Sequence, residues 1–294
     1  MRILIVGCGY VGMPLGMELV RQGHDVFGLR RRAAAGSELQ AGGIIPLFAD
    51  VTKPAELKKI PVNFDWVVNC VAAGGEAENY RQVYLEGTQN LLTWLAAQPP
   101  QKFVYTSSTS VYGQNDGSIV TETSATAPEV ATAQILVETE NVLRAAARRP
   151  QPFPAVILRA AGIYGPERGH WFKQFLKGQA HLEGDGSRYL NMIHRDDLVG
   201  CIIAALRAGR SGEIYNAVDD EPVTQLNFFR WLAGVLQKNL PPTMAEKTER
   251  RRGVTNKQVS NAKLCAELAY KFQFPNFRAG YTAEIARRKT FDLV

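Results

Sequence analysis

Cysteine and histidine are scarce, four of each in 294 residues, and Cys8, Cys70, Cys201 and Cys265 form no C-x-x-C pair. That spacing argues against a disulfide framework and a zinc site, and it suits a reducing cytoplasm. Long apolar runs are missing too. A membrane-spanning helix needs about 20 consecutive apolar residues, whereas the run at 199–206 meets Arg207 and Arg210. No cleaved leader is expected, because residues 3–6 lead straight into Gly7, Gly9 and Gly12, which a leader would not need. The absence of repeats, low-complexity tracts and Gly/Ser linkers implies two intimately packed parts rather than tethered domains. The formal charge of +6 is dispersed, with tight clusters only at Arg30-Arg31-Arg32 and Arg250-Arg251-Arg252. That dispersal argues against a nucleic-acid partner.

What is present is a globular balance, 46% hydrophobic and 21% charged, enough for a large core. Short β-rich runs at 2–6, 25–29, 44–48, 66–70, 102–106, 155–158 and 213–216 alternate with segments of helical period at 14–22, 55–59, 77–97, 131–147 and 196–207. The alternation predicts an α/β fold, a doubly wound parallel sheet with helices on both faces. Regularity fades after Gly165-Pro166. The reading is therefore a dinucleotide-binding domain over 1–165, completed by about 190–217, and a smaller substrate-side subdomain from 166–189 and 218–294.

Gly7-Cys8-Gly9-Tyr10-Val11-Gly12 follows the first strand at once and opens a helix. In that context the glycines serve a tight turn, a close approach of pyrophosphate to the backbone, and helix–strand packing, with the helix N-terminus facing the phosphates. Such a site for NAD usually ends its second strand with an acidic residue. Here Arg30 and Arg31 stand there, and guanidinium groups match a 2′-phosphate, so NADP is the expected cofactor and NAD the lesser alternative. Asp50 and Val51 close the third strand, where a carboxylate would face adenine. Ala72-Ala73-Gly74-Gly75 follow the fourth, where small side chains let a dinucleotide lie on the backbone.

These residues, with Thr106 through Gly113, Leu158-Arg159, Gly162 through Pro166, His194 through Leu198, Ile214-Tyr215-Asn216 and Glu221 through Thr224, resemble the extended short-chain dehydrogenase/reductase family. That family holds nucleotide-sugar epimerases, dehydratases and related reductases, and the likeness covers most of the chain. It implies the Rossmann fold and places Ser108 where the family's catalytic serine or threonine bonds a substrate oxygen. It also implies a tyrosine and a lysine four residues apart on the next helix. Residues 121–147 contain neither, and Thr132 and Leu136 align with the two positions. Tyr84 replaces an asparagine found in many relatives. The tail, with Asn256-Lys257, Ser260-Asn261, Phe274-Pro275 and Gly280-Tyr281, looks like an atypical branch of the family.

Without that pair another proton donor is required, and Tyr164, after the sixth strand, ranks ahead of Tyr112, Tyr84 and His170. His194 precedes a helix for which Asp196 is the expected cap. Arg250-Arg251-Arg252 offers an anion site or a solvated surface run. The leading expectation is an NADP-dependent oxidoreductase or epimerase/dehydratase-like enzyme acting on a small polar carbonyl, alcohol or sugar-type substrate, with no metal. One alternative is a non-catalytic NADP-binding sensor or interaction protein. Another is isomerisation or dehydration with the dinucleotide permanently bound. A homodimer through the helices at 77–97 and 131–147 is the expected assembly.

Overall fold

A computed structural model describes residues 1–74, 76–244 and 255–291. Its centre is a seven-stranded parallel sheet of β1 (Arg2–Val6), β2 (Asp25–Arg30), β3 (Ile45–Phe48), β4 (Trp66–Asn69), β5 (Lys102–Ser108), β6 (Ala155–Ala160) and β7 (Ile214–Ala217), in the order β7-β6-β5-β4-β1-β2-β3. The alternation of strand side chains fills two layers. Ile3, Ile5, Val68, Val104 and Val156 enter one apolar cluster, and Leu4, Val6, Val67, Phe103 and Ile157 enter the other. Helices cover both faces, so β6 is buried at every residue, as a central parallel strand requires.

The chain starts in the middle of the sheet, winds outward to β3, then returns to β4 and winds the other way. The carboxyl ends of β1 and β4 therefore bound the crevice where open α/β sheets bind ligands. Two features there were not legible in the periodicity. A helix at Gly36–Ala41 stands between β2 and β3. The long helical segment after β4 contains a π-helical turn, Arg81–Glu86, between Ala77–Tyr80 and Gly87–Leu95, a form that favours functional sites. Helix Ala131–Ala147 has the expected ends. Helix Arg195–Ala208 is capped by His194, whose ring accepts from the Asp196 amide at 3.2 Å, so histidine and not Asp196 does the capping.

A third cluster lies apart, built from Tyr164, Phe172, Phe175, Phe228, Phe229, Leu232, Phe277 and Tyr281. It is a core separate from the two that flank the sheet, in the region read from the sequence as the smaller lobe. Residues 257–272 do not join that lobe as the sequence suggested. Val259, Leu264 and Leu268 are buried in the sheet's own core, with Tyr270 and Phe272 packed on it, because strand Gln258–Val259 pairs with Ile119–Val120. No helix among the described residues is long and apolar enough to cross a membrane.

Candidate active site

The glycine turn has the steric properties its spacing implies. Gly7 has φ +82° and lies so close to Val71 that a Cβ would fall 2.7 Å from its Cα. A Cβ on Gly12 would meet the Gly7 carbonyl and Ile5 at 2.9 Å, whereas at Gly9 the nearest atom would be 3.8 Å away. Space is thus kept open only at Gly9, where a ligand phosphate would approach. Helix Gly12–Arg21 starts with no side-chain cap, and the amides of Tyr10, Val11 and Gly12 have no acceptor among the described residues. Unpaired N–H groups at a helix N-terminus form an anion site. The residues present therefore fit a dinucleotide pyrophosphate.

Gly7, Gly9, Tyr10 and Val11 line a cleft of about 1550 Å³, larger than the roughly 300–1,000 Å³ typical of one small ligand. Gly12 packs beneath it. Arg30, at the end of β2, donates from Nε to the Cys8 carbonyl at 2.6 Å and pairs with Glu38 at 3.0 Å. Arg31 and Arg32 line the same end of the cleft. The Tyr10 ring lies under two guanidinium groups, Arg168 at 4.9 Å and Arg195 at 5.4 Å. Burial pushes its hydroxyl up to about 12, against the pull of both arginines.

Asp50, Val51 and Ala72 line the cleft as well. Asp50 accepts both the amide and the hydroxyl of Thr52 through Oδ1, which fixes the carboxylate's rotamer. Ala73 lies beside the cleft rather than on its lining, and its amide donates to the Tyr84 hydroxyl at 3.2 Å, which ties the turn after β4 to the π-helical turn. Gly75 and Arg250-Arg251-Arg252 lie outside the described residues.

At the other end of the cleft, Ser108 closes β5 opposite Ala160, and its Oγ accepts from the Ser110 amide at 3.2 Å. That bond sets the side chain and leaves its own proton to donate. Thr132 and Leu136, one helical turn apart, line the same cleft. This wall offers a hydroxyl and an apolar surface.

Tyr164, expected to be the proton donor, lines the cleft and is also packed into the third apolar cluster. It is 1% exposed, its ring stacks on Tyr281 with centroids 4.3 Å apart, and its hydroxyl abuts Gly280 without a hydrogen-bond partner among the described residues. Burial raises its pKa far beyond the usual tyrosine range. A phenol so placed packs the smaller lobe. We expect Tyr164→Phe to leave ligand turnover unchanged and to stabilise the fold slightly, by up to about 1 kcal/mol, since it removes an unpaired buried hydroxyl. A thermal melt and a turnover assay check this, and lost turnover would restore Tyr164 as the acid. Tyr112 is structural too, because its hydroxyl accepts from Arg159 and donates to Asn216, each at 2.8 Å. His170 is exposed at the start of helix His170–Leu176, whereas His194 is 2% exposed.

One residue of this cleft escaped the reading of its role. Lys257 is 4% exposed, forms part of the cleft wall and donates from Nζ to the Tyr112 carbonyl at 2.8 Å. Burial lowers its pKa to about 8. Nothing local in the sequence marks it, since its burial depends on contacts with residues 145 and 66 positions away.

The chain is 28% identical to protein YeeZ of Escherichia coli K12 over 282 residues, 94% of this chain and 97% of that one. A conserved protein of unknown function from Silicibacter pomeroyi superposes with TM-score 0.80 at 27% identity, covering 97% and 98% of the two chains. The dTDP-glucose 4,6-dehydratase DesIV of Streptomyces venezuelae, solved with NAD and TYD bound, superposes with TM-score 0.82 at 23% identity, covering 96% and 94%, a likeness of fold. The glycine turn, the switch of strand order and the match of residues 3–217 to a family model agree: the chain belongs to the NAD-dependent epimerase/dehydratase family.

Proposed function

We propose that this protein is an NADP-dependent oxidoreductase or epimerase/dehydratase-like enzyme acting on a small polar carbonyl, alcohol or sugar-type substrate. The observation that carries the cofactor preference is Arg30, fastened to the backbone of the glycine turn and flanked on the cleft by Arg31 and Arg32. The carboxylate that does reach this point, Glu38, comes from the following helix and is already bound to Arg30. A 2′-phosphate would therefore meet guanidinium groups rather than a bare acid.

Gly9, the free amides of the helix start and the two arginines would hold the dinucleotide. When bound, its nicotinamide supplies or accepts hydride. Ser108 would donate to a substrate oxygen, and Asp50 would face the adenine end. Tight binding of NADPH over NADH to the nucleotide-stripped protein is the expected result, read by quenching of tryptophan fluorescence, with Trp171 on the cleft wall. Arg30→Ala should weaken NADPH by about tenfold to a hundredfold, the value of one or two charge-assisted bonds, and NADH much less. Equal affinity for both nucleotides would overturn the preference. Leu136 on the cleft favours a second reading, a non-catalytic NADP-binding protein, for which the same titration succeeds and no carbonyl or alcohol is turned over.

A further inference from the structure

Of the donors the sequence offered, Tyr164 is stacked on Tyr281 with its hydroxyl buried and Tyr112 holds Arg159 and Asn216, whereas Tyr84 and His170 stand on the cleft wall; Leu136 occupies the cleft face of its helix. We propose that Lys257 is the acid–base residue of the substrate half of this cleft, giving its proton to a substrate carbonyl oxygen. The inference rests on the reading of the protein as a dinucleotide-dependent oxidoreductase.

Placement carries the argument. The Lys257 carbonyl accepts from Asn191 Nδ2 at 2.9 Å, Asn191 Oδ1 accepts from the Val259 amide at 2.8 Å, and Asn256 Oδ1 accepts from the Tyr189 amide at 3.0 Å. The backbone around Lys257 is thus stapled to the segment beside it, and Nζ is aimed at one point. Its one acceptor there among the described residues is the Tyr112 carbonyl, in the turn that begins at Ser108. An ammonium has three donors, so two remain for whatever fills the cleft. No carboxylate lies within ion-pair distance of Nζ among the described residues, whereas the neighbouring cation Arg188 is committed to Glu183 and to the Thr255 carbonyl. A buried lysine without a counter-ion exchanges its proton near neutral pH, as an acid–base group must.

The step balances. As the carbonyl carbon receives a hydride from a reduced dinucleotide, the C=O π pair moves to oxygen, and oxygen takes the proton that Nζ releases. An alcohol, an oxidised dinucleotide and a neutral amine result, and solvent reprotonates the amine.

The first test is reductive methylation of the wild-type protein with formaldehyde and cyanoborohydride at pH 8, followed by peptide mass mapping. Lys257 should be modified about tenfold faster than exposed Lys53, because burial favours the free amine at Lys257. A Lys257 left unmodified while Lys53 reacts overturns the proposal. The second test is NADPH-dependent reduction of glycolaldehyde, glyceraldehyde and dihydroxyacetone. Lys257→Gln should lower kcat about a hundredfold with NADPH affinity unchanged, and Lys257→Arg, charged but unable to release a proton, should not restore it. Unchanged kcat in Lys257→Gln, or no reduction by the wild type, overturns the role. A wild type that fails to bind NADPH removes the reading on which the proposal stands. One that binds NADPH but fails the methylation test removes this proposal alone.

Discussion

Arg159→Leu should cost about 3 to 5 kcal/mol of folding stability, the typical price of leaving one partner of a buried ion pair alone. Arg159 and Glu140 are 3% and 2% exposed and meet at 2.6 Å. The remaining polar atoms are satisfied as well. Ser107 Oγ donates to Glu140 at 2.6 Å, while Arg159 Nη1 reaches the Tyr112 hydroxyl and, through it, Asn216. Removing the guanidinium strands a carboxylate in the core and frees the Tyr112 hydroxyl. The double variant Arg159→Leu with Glu140→Leu should recover most of the loss, since no uncompensated charge remains. Urea unfolding of the two variants measures this, and a loss below about 1 kcal/mol in Arg159→Leu would overturn the reading of the pair as a buried, interdependent unit. By contrast Arg81 and Glu138, an exposed pair at 3.0 Å, should contribute little when cut. The network lies directly behind Ser107 and Ser108, so its loss should also loosen the end of β5 on which the candidate site depends.

The second large effect has the opposite sign: Lys257→Met should be more stable than the wild type at pH 7. The Lys257 amine has a pKa of about 8 in the folded protein against an ordinary 10.5, through burial. Between those values the unfolded chain binds the proton and the folded chain does not, so stability rises with pH across that window. Below pH 8 the charged amine costs the fold about 3 kcal/mol, and above about 10.5 the cost disappears. Methionine removes the charge and gives up one bond to the Tyr112 carbonyl, worth about 1 kcal/mol. The net gain at pH 7 should therefore be about 2 kcal/mol, should vanish near pH 10 and should give way to a loss of up to about 1 kcal/mol above it, where only the missing bond remains. Unfolding curves at pH 6, 8 and 10.5 check the sign, and a gain independent of pH would point to better packing instead. A residue that destabilises the fold while lining the cleft behaves as functional groups often do.

The sheet was legible because its physics is local. Alternating β-branched runs, helical spacing and crossover length lead to a doubly wound parallel sheet, and each strand nominated from the sequence is present within two residues at either end. Glycine chemistry is local too, so close packing at Gly7 and Gly12 and open space at Gly9 follow from their spacing. The likeness to a known family placed Ser108 at a strand end and showed that helix Ala131–Ala147 lacks the tyrosine and lysine of its relatives.

Tyr164 and Lys257 mark where that legibility ends. Tyr164 follows β6 as a ligand-facing residue would, but Gly280 and Tyr281, more than a hundred residues later, close over it. Lys257 reads as one basic residue in a polar tail until strand Gln258–Val259 pairs with Ile119–Val120 and draws it into the cleft wall. By itself the sequence determined the fold class, the glycine turn and the absence of tyrosine and lysine from helix Ala131–Ala147, because each depends on neighbours a few residues apart. Only the tertiary structure decided which tyrosines are buried and which lysine faces the cleft, because burial and the pKa it sets are made by segments that meet only when the chain has folded.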